Sequence, residues 1–376
     1  MGLRELYESE GEVVFTRKLI NLIVEGKLKP EEFSLRALWE AMGRPRLSPS
    51  TGGLFRGKIE NDAELKEAVD STMFPKITGT MINKVVMDAY QLEYGIGDRL
   101  VRVIPSTQKD DTIVGMTAEG ELFEVGEGLS YEETGFEEKH HKIYNRKFGR
   151  IVGLTEEAVK FDQTGQMIAR AQLIGEKMKA KREQVIMEAV LEKTSSGVLA
   201  AWRPGGTSTA LYSDTSTDPY SATTFDNNIT DVLSDETDID AAFVAWASAK
   251  DENGEFIQVV PDAILTNLGK ASTAMKLFQQ DRTLASSSLG DNIYKGKYQP
   301  YTSPWVNSIV SATAWFIGAF RKQFIYTEVF APEVTQARPG SDQEWLRDVI
   351  YQWKARFMGG CGAVTNRYVI KSTGAG

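Results

Sequence analysis

The sequence predicts an α+β protein with more than one lobe. Three observations point there. An amphipathic stretch at 164–193 repeats apolar residues at three- and four-residue steps, the mark of a long helix. Short apolar or alternating runs at 256–260, 314–320, 324–329 and 349–358 have the length of strands. The chain of 376 residues also exceeds the ~250–300 at which a single core stops growing.

The elements follow in order. Phe15, Leu19, Ile20 and Ile23 share one face of a first helix, which Gly26 can close as its C′ residue. Pro30 suits the first turn of a second helix carrying Phe33, Leu38, Trp39 and Met42. Its one base, Arg36, makes the pair a packing or partner-contacting arm rather than a DNA-reading motif. Arg44 to Gly53, with two prolines and two glycines, is a linker. Residues 60–108 are expected to hold a short helix near Ala63–Asp70 and extended segments such as Asp98–Ile104.

The long helix at 164–193 carries its stripe on Met167, Ala171, Ile174, Met178, Val185 and Ala189. Lys177, Lys179, Lys181, Arg182 and Glu183 are placed on its outer side, and it is read as a strut. Residues 195–235, rich in Ser, Thr, Gly and Asp, read as loops and short strands. Thr237 is expected to cap a helix bearing Ile239, Phe243 and Trp246, with Asp240 completing a capping box and residues 251–254 ending it. Ala263–Leu265 is a strand leading into a helix capped by Asn267. Near the end, a short helix at 342–348 precedes a strand in which Tyr351, Trp353, Ala355 and Phe357 alternate with polar residues and Met358. Tyr368–Ile370 makes a last strand.

Charge is distributed most unevenly at 119–150. Eight acids and no Lys or Arg occupy 119–138, and five bases and no acid occupy 139–150. This reads as a long hairpin with an acidic and a basic arm held by cross-strand opposite charges. A ribbon polar on both faces is marginal alone. It needs a surface from its own domain or from another subunit.

Composition sets outer limits. Apolar residues at 41% and charged residues at 25% are ordinary for a globular protein. A net charge of −9 argues against a general nucleic-acid binder while leaving room for a local basic surface. The lone Cys361 excludes an intrachain disulfide and fits a reducing compartment. The N-terminus lacks a secretory pattern. The most apolar stretch, 309–320, falls short of the ~20 residues of a membrane span.

Catalytic and metal motifs are thin. His140 and His141, adjacent on a strand, point to opposite faces and form no two-His metal site. Gly95-Ile96-Gly97 lacks the third glycine of a dinucleotide loop. Cys361, set between glycines, reads as a packing residue rather than a nucleophile. No cofactor, metal or catalytic residue is expected.

The order of parts carries a resemblance. An N-terminal arm precedes a charged hairpin, which returns through Phe148-Gly149-Arg150-Ile151-Val152-Gly153-Leu154 into a short helix, Glu156 to Phe161, and then the long helix. A mixed lobe follows. The chain closes on Glu344-Trp345-Leu346-Arg347-Asp348-Val349-Ile350-Tyr351-Gln352-Trp353-Lys354-Ala355-Arg356-Phe357-Met358-Gly359. Over roughly 75–376 this resembles the major capsid protein of tailed bacteriophages, whose fold is shared by encapsulin shells and the herpesvirus capsid floor.

The resemblance implies an arm at 1–58, the N-arm and start of a peripheral domain at 59–104, and an extended hairpin loop at 105–153. It further implies a peripheral domain with a spine helix at 154–197, an α/β axial domain at 198–328, and a return to the peripheral domain at 329–376. It implies a structural protein, not an enzyme, that assembles through pentamers and hexamers into an icosahedral shell around double-stranded DNA. Assembly would occur in the host cytoplasm. Many copies of itself, the packaged DNA, and portal, scaffolding and decoration proteins are the expected partners, with no membrane.

Inter-subunit contact is expected at Glu121, Glu124, Glu127, Glu132, Glu133, Lys139, Lys142, Arg146, Lys147, Arg150 and Arg356. Residues 1–58 are short for the cleaved scaffolding segment of some relatives, so no removal is expected. Nor is a covalent cross-link between Lys139, Lys142 or Lys147 and a neighbour's Asn366. The alternatives are an encapsulin-like compartment shell and, in a different class, a carboxylate-dependent hydrolase forming a small oligomer.

Overall fold

The computed structural model describes residues 12–29, 34, 38, 73–91, 95–116, 138–155, 164–193, 210–217, 224–251, 254–282, 284, 290–336 and 349–375. The linker at 44–53, the helices expected at 63–70 and 342–348, nearly all of the second helix, and the acidic run up to Glu137 lie outside these residues.

The fold is α+β. In chain order the elements are α1 (Glu12–Val24), α2 (Met73–Gln91), α3 (Gly97–Leu100), β1 (Arg102–Pro105), β2 (Asp110–Met116), β3 (Glu138–Tyr144), β4 (Arg146–Thr155) and α4 (Thr164–Val190). Next come β5 (Ser216–Thr217), β6 (Thr224–Phe225), β7 (Asn228–Ile229), α5 (Glu236–Ala247), β8 (Ala263–Thr266), α6 (Ala271–Gln279), β9 (Gln299–Thr302) and α7 (Pro304–Ile309). The chain finishes with β10 (Trp315–Gly318), α8 (Phe320–Gln323), β11 (Phe324–Gln336), β12 (Val349–Ala363) and β13 (Val369–Ser372). One sheet has the order β1-β11-β12-β4 and another β7-β13-β10-β8-β9, while β2-β3 and β5-β6 are two-stranded. The chain divides into two compact units, with boundaries inside α4, β11 and β12.

The first unit gathers residues 1–94, 147–179 and 331–357. Its core joins Phe15, Leu19 and Ile23 of α1 to Ile77, Met81, Val85 and Val86 of α2 and to Met167, Ala171, Ile174 and Met178 of α4. Val152 of β4 and Trp353, Ala355 and Phe357 of β12 complete it. The closing strand therefore alternates as its sequence requires. The turn after α1 also matches expectation. Gly26 has φ +74, Lys27 N donates to Leu22 O at 3.0 Å, and Gly26 N donates to Ile23 O at 3.1 Å, a Schellman closure.

Helix α2 corrects the reading of 60–108, which placed its helix at 63–70 and none at 73–91. Gly79 and several Thr and Val residues lower its intrinsic propensity. Yet Ile77, Met81, Val85 and Ala89 recur every fourth residue, and burial of that stripe outweighs propensity. The close approach of α4 is made at Gly175. A Cβ there would lie 2.4 Å from Val86 O and 2.8 Å from Ala89 Cβ. Gly175→Ala should therefore destabilise the protein by about 1–3 kcal/mol, against the ~1 kcal/mol that Ala normally gains over Gly inside a helix. Urea unfolding of the two proteins checks this, and a stabilised variant would contradict the packing.

The second unit holds residues 95–146, 180–330 and 358–376. In its mixed five-stranded sheet, β10 is the antiparallel centre, with Ile317 opposite Ile264 on β8 and Ile370 on β13. Strands β9 and β7 add in parallel at the edges. Trp315, Ile317, Ile264 and Ile370 pack with Ile239, Ala242 and Trp246 of α5 and Ala274, Leu277 and Phe278 of α6. The indole N–H groups find carbonyls, Trp315 at Asp231 (2.8 Å) and Trp246 at Arg367 (3.1 Å).

Local details differ from the sequence reading. The cap of α5 is Asp235, not Thr237. Its carboxylate accepts from Thr237 N at 2.9 Å, and Asp238 accepts from Asp235 N at 3.0 Å. Asn267 precedes a short 3-10 turn (Leu268–Lys270) without capping it, and its amide donates instead to Ala312 O at 2.9 Å. The run 256–260 is not a strand. Only Phe256 bridges, to Lys250, and Val260 is exposed. Residues 98–100 form a helical turn before β1 rather than an extended segment.

Candidate inter-subunit ribbon

The ribbon is real, but its arms pair differently from the expectation. The basic strand β3 runs antiparallel to β2, with Asp111 opposite Ile143, Thr112 opposite Lys142 and Gly115 opposite Lys139. The acidic run was expected to be its partner. Here the residues immediately before the run's site, Asp110–Met116, take that place, and Glu121, Glu124, Glu127, Glu132 and Glu133 lie outside the described residues. The basic stretch is also divided at Asn145, which ends β3 before β4 begins in a different sheet.

Asn145 is buried and anchors the root of the ribbon. Its backbone N donates to Lys109 O at 3.0 Å and its side-chain amide to Gln108 O at 2.9 Å and to the Asp111 carboxylate. Its Oδ1 accepts from Thr327 Oγ1 at 2.6 Å. Beside it, Ile143 is 1% exposed. A Cβ on Gly360 would lie 3.0 Å from Ile143 Cγ2, and one on Gly362 would lie 2.8 Å from Ile143 Cγ1. Gly360 and Gly362 thus make a floor without side chains for Ile143, while Gly359 makes room for Tyr326. The ribbon's own unit supplies the surface for its base, a contribution the sequence reading left open.

A second cluster centres on α4. Arg182 and Glu183, placed by sequence on the outer side, are buried. Arg182 Nε donates to Asp98 Oδ1 at 2.8 Å, Nη1 pairs with Glu328, and the guanidinium lies 4.4 Å from the Tyr326 ring centroid. Glu183 accepts from Ile96 N at 3.1 Å and Gly97 N at 2.7 Å. A Cβ on Gly95 or Gly97 would collide with this carboxylate at 2.4–2.5 Å. The Gly95-Ile96-Gly97 pattern is therefore a cradle for an internal carboxylate, not a truncated nucleotide loop. Exposure of Lys177 follows the sequence reading; the error at 182–183 came from treating charge as a surface label.

The basic residues divide between the units. In the second, Lys142 and Arg146 are exposed. In the first, Lys147 and Arg150 are exposed on β4, and half-buried Arg356 donates from Nε to Glu333 Oε1 at 2.5 Å. Arg356 is thus already engaged within its own chain.

A carboxylate-dependent hydrolase would need a deep pocket with a strained acid pair. A cleft of about 370 Å³ in the second unit does hold Asp98 and Asp262 with Arg99 and Arg321. Burial raises the Asp262 carboxyl above its usual value, opposed by Arg321 and Lys322. Asp98, however, is tied to Arg182. Among the described residues no group of three or more His, Cys, Asp or Glu can hold a metal ion, and no helix is long and apolar enough to cross a membrane. Cys361 is a buried packing residue, and burial pushes its thiol well above its ordinary value of 9.0.

That thiol sets an alkaline limit. Folded Cys361 keeps its proton where the unfolded thiol loses it, so its contribution is intact below pH 9.0 and is lost as pH rises further. The stability difference between the wild type and Cys361→Ala should narrow by about 1.4 kcal/mol per pH unit above that point, measured by urea unfolding at several pH values. An unchanged difference would refute it.

The charged ribbon and the Gly-rich strand that roots it thus belong to the second, mixed unit. The chain belongs to the phage capsid protein family, whose model matches residues 144–372. It is a structural virion component of the capsid, not an enzyme, and the hydrolase alternative falls with that match. No curated protein matches the sequence. Among solved structures it is similar to a chain from Gordonia phage Cozz at 13% identity, covering 74% of this chain and 85% of that one, with a TM-score of 0.45. It is also similar to the capsid of a native GTA particle (10% identity, 86% and 93% covered, TM-score 0.46) and that of cyanophage P-SCSP1u (11% identity, 73% and 86% covered, TM-score 0.46). The family assignment rests on the sequence match and not on these distant likenesses.

Proposed function

We propose that this chain is the major capsid protein of a tailed-phage head, closing through pentamers and hexamers into an icosahedral shell around double-stranded DNA. The family match over 144–372 carries the reading. In it, residues 1–58 are an arm, 59–104 the N-arm and start of a peripheral domain, and 105–153 an extended loop reaching a neighbouring copy. Residues 154–197 carry the spine helix of the peripheral domain, 198–328 form the axial domain, and 329–376 return to the peripheral domain and close the chain. The exposed bases Lys142, Arg146, Lys147 and Arg150, with Lys139, meet acids such as Glu121, Glu124, Glu127, Glu132 and Glu133 of another copy. Such head-to-tail contacts close into rings where the rotation permits. Assembly takes place in the host cytoplasm, with portal, scaffolding and decoration proteins as further partners.

Electron microscopy of the purified protein tests this. Closed shells, with nuclease-protected DNA inside particles from infected cells, are expected. Uniform dimers or tetramers would overturn the shell, and protein cargo in place of DNA would favour the encapsulin alternative.

A further inference from the structure

Helix α1 is gripped along one side and at one end by later segments of the first unit. Phe15, Leu19 and Ile23, four residues apart, enter a cluster with Ile77, Met81 and Val85 of α2 and with Met167, Ala171 and Met178 of α4. These three anchors are buried, whereas Arg17, Lys18, Asn21 and Glu25 are exposed. The end of the helix carries a second hold. Lys84 Nζ, from α2, donates to Ile23 O and, at 3.3 Å, to Val24 O, two of the closing carbonyls of α1. An ammonium placed there also faces the negative end of the helix dipole. Gly26, at φ +74, lets the chain turn away directly above it, since a Cβ there would lie 3.2 Å from Lys84 Nζ. Isolated helices below ~12–15 residues are marginal in water, so the 13 residues of α1 owe their helical state to this surface.

We propose that the α2–α4 face of the first unit is a binding groove for an amphipathic helix, and that residues 12–28 are its tethered ligand. The groove, and not the connecting chain, then holds the helix. A cut in the linker at 44–53 leaves the N-terminal fragment bound, and the same helix supplied as a separate peptide binds the vacant groove. The proposal stands apart from the capsid reading. Anchors at i, i+4 and i+8 are the way a helix engages a groove. The Lys84 contact adds direction and register, because only the last turn of a helix presents carbonyls that its own backbone leaves free. Leu38, buried in the same cluster, adds a further hold ahead of the linker. The tether contributes local concentration, on the order of millimolar for a short flexible connection, and a cut removes only that.

The full chain with a protease recognition site inserted after Gly52 tests this. After complete cleavage, gel filtration with mass analysis is expected to show the N-terminal fragment travelling with the body of the protein. A fragment that elutes free overturns the proposal. In the Phe15→Asp chain the cut fragment should elute free; its retention would show that the apolar stripe is not the hold, and overturns the proposal too. That cut variant, with its groove vacant, should take up a fluorescent peptide of residues 12–28, read by anisotropy, and no uptake overturns the site. Lys84→Met keeps the stem of the side chain and removes its charged hydrogen bonds. It should speed release of the cut wild-type fragment by about tenfold, and an unchanged rate would strike Lys84 from the site.

Discussion

Reversing Lys142, Arg146, Lys147 and Arg150 to Glu should abolish particle formation and leave the chain folded. All four side chains are exposed, so none contributes much to the stability of the single chain. The residues that hold the ribbon's root, Ile143 and Asn145, are buried and untouched by the change. One exposed ion pair is worth only ~0–1 kcal/mol, but in the proposed contact each reversal also sets like charge against the acids of the neighbour, and the fault would recur in every copy of a closed shell. Native electrophoresis and electron microscopy report assembly, and thermal melting reports folding. Wild-type assembly should also weaken with added salt, because exposed charges are screened within ~10 Å at 0.1 M. Intact particles from the fourfold variant would remove the ribbon's docking role.

Arg182→Met is expected to produce the largest loss of stability. The guanidinium is buried between Asp98 and Glu328 and stacks on Tyr326. Methionine fills much of the volume but leaves both carboxylates without that counter-charge. Removing one partner of a buried pair costs about 3–5 kcal/mol. The side chains of Asp98 and Glu328 remain 36% and 27% exposed, which draws the expected loss toward about 3 kcal/mol. A denaturant titration measures it. A loss below 1 kcal/mol would show that Asp98 and Glu328 are solvated well enough to stand without Arg182. In that case, the cluster orders α3 and β11 without stabilising them.

Elements defined by burial periodicity were legible. The α4 stripe from Met167 to Met178, the alternation of Trp353, Ala355 and Phe357, and the Gly26 closure each follow from a local pattern with one physical solution. Helix α2 carried a readable signal, apolar residues every fourth position, obscured by its Gly, Thr and Val content. The ribbon was legible as a charged hairpin but not in its pairing, because register depends on which strand reaches β3, and charge blocks along one chain do not decide that. The glycines of 95–97 and 359–362 were visible as letters only. Their purpose, making room for Glu183, Ile143 and Tyr326, exists only once distant segments meet.

The amino-acid sequence alone determined that this is an α+β chain with a long amphipathic helix, a half-buried closing strand and a charged hairpin, since each of these is written in residues close together along the chain. Only the tertiary structure decided that Arg182 and Glu183 are interior, that Asn145 and Ile143 root the ribbon, and that Phe256 stands exposed. The physical reason is that burial of a charge or exposure of a ring depends on partners far away in sequence, and spacing along the chain carries no record of them.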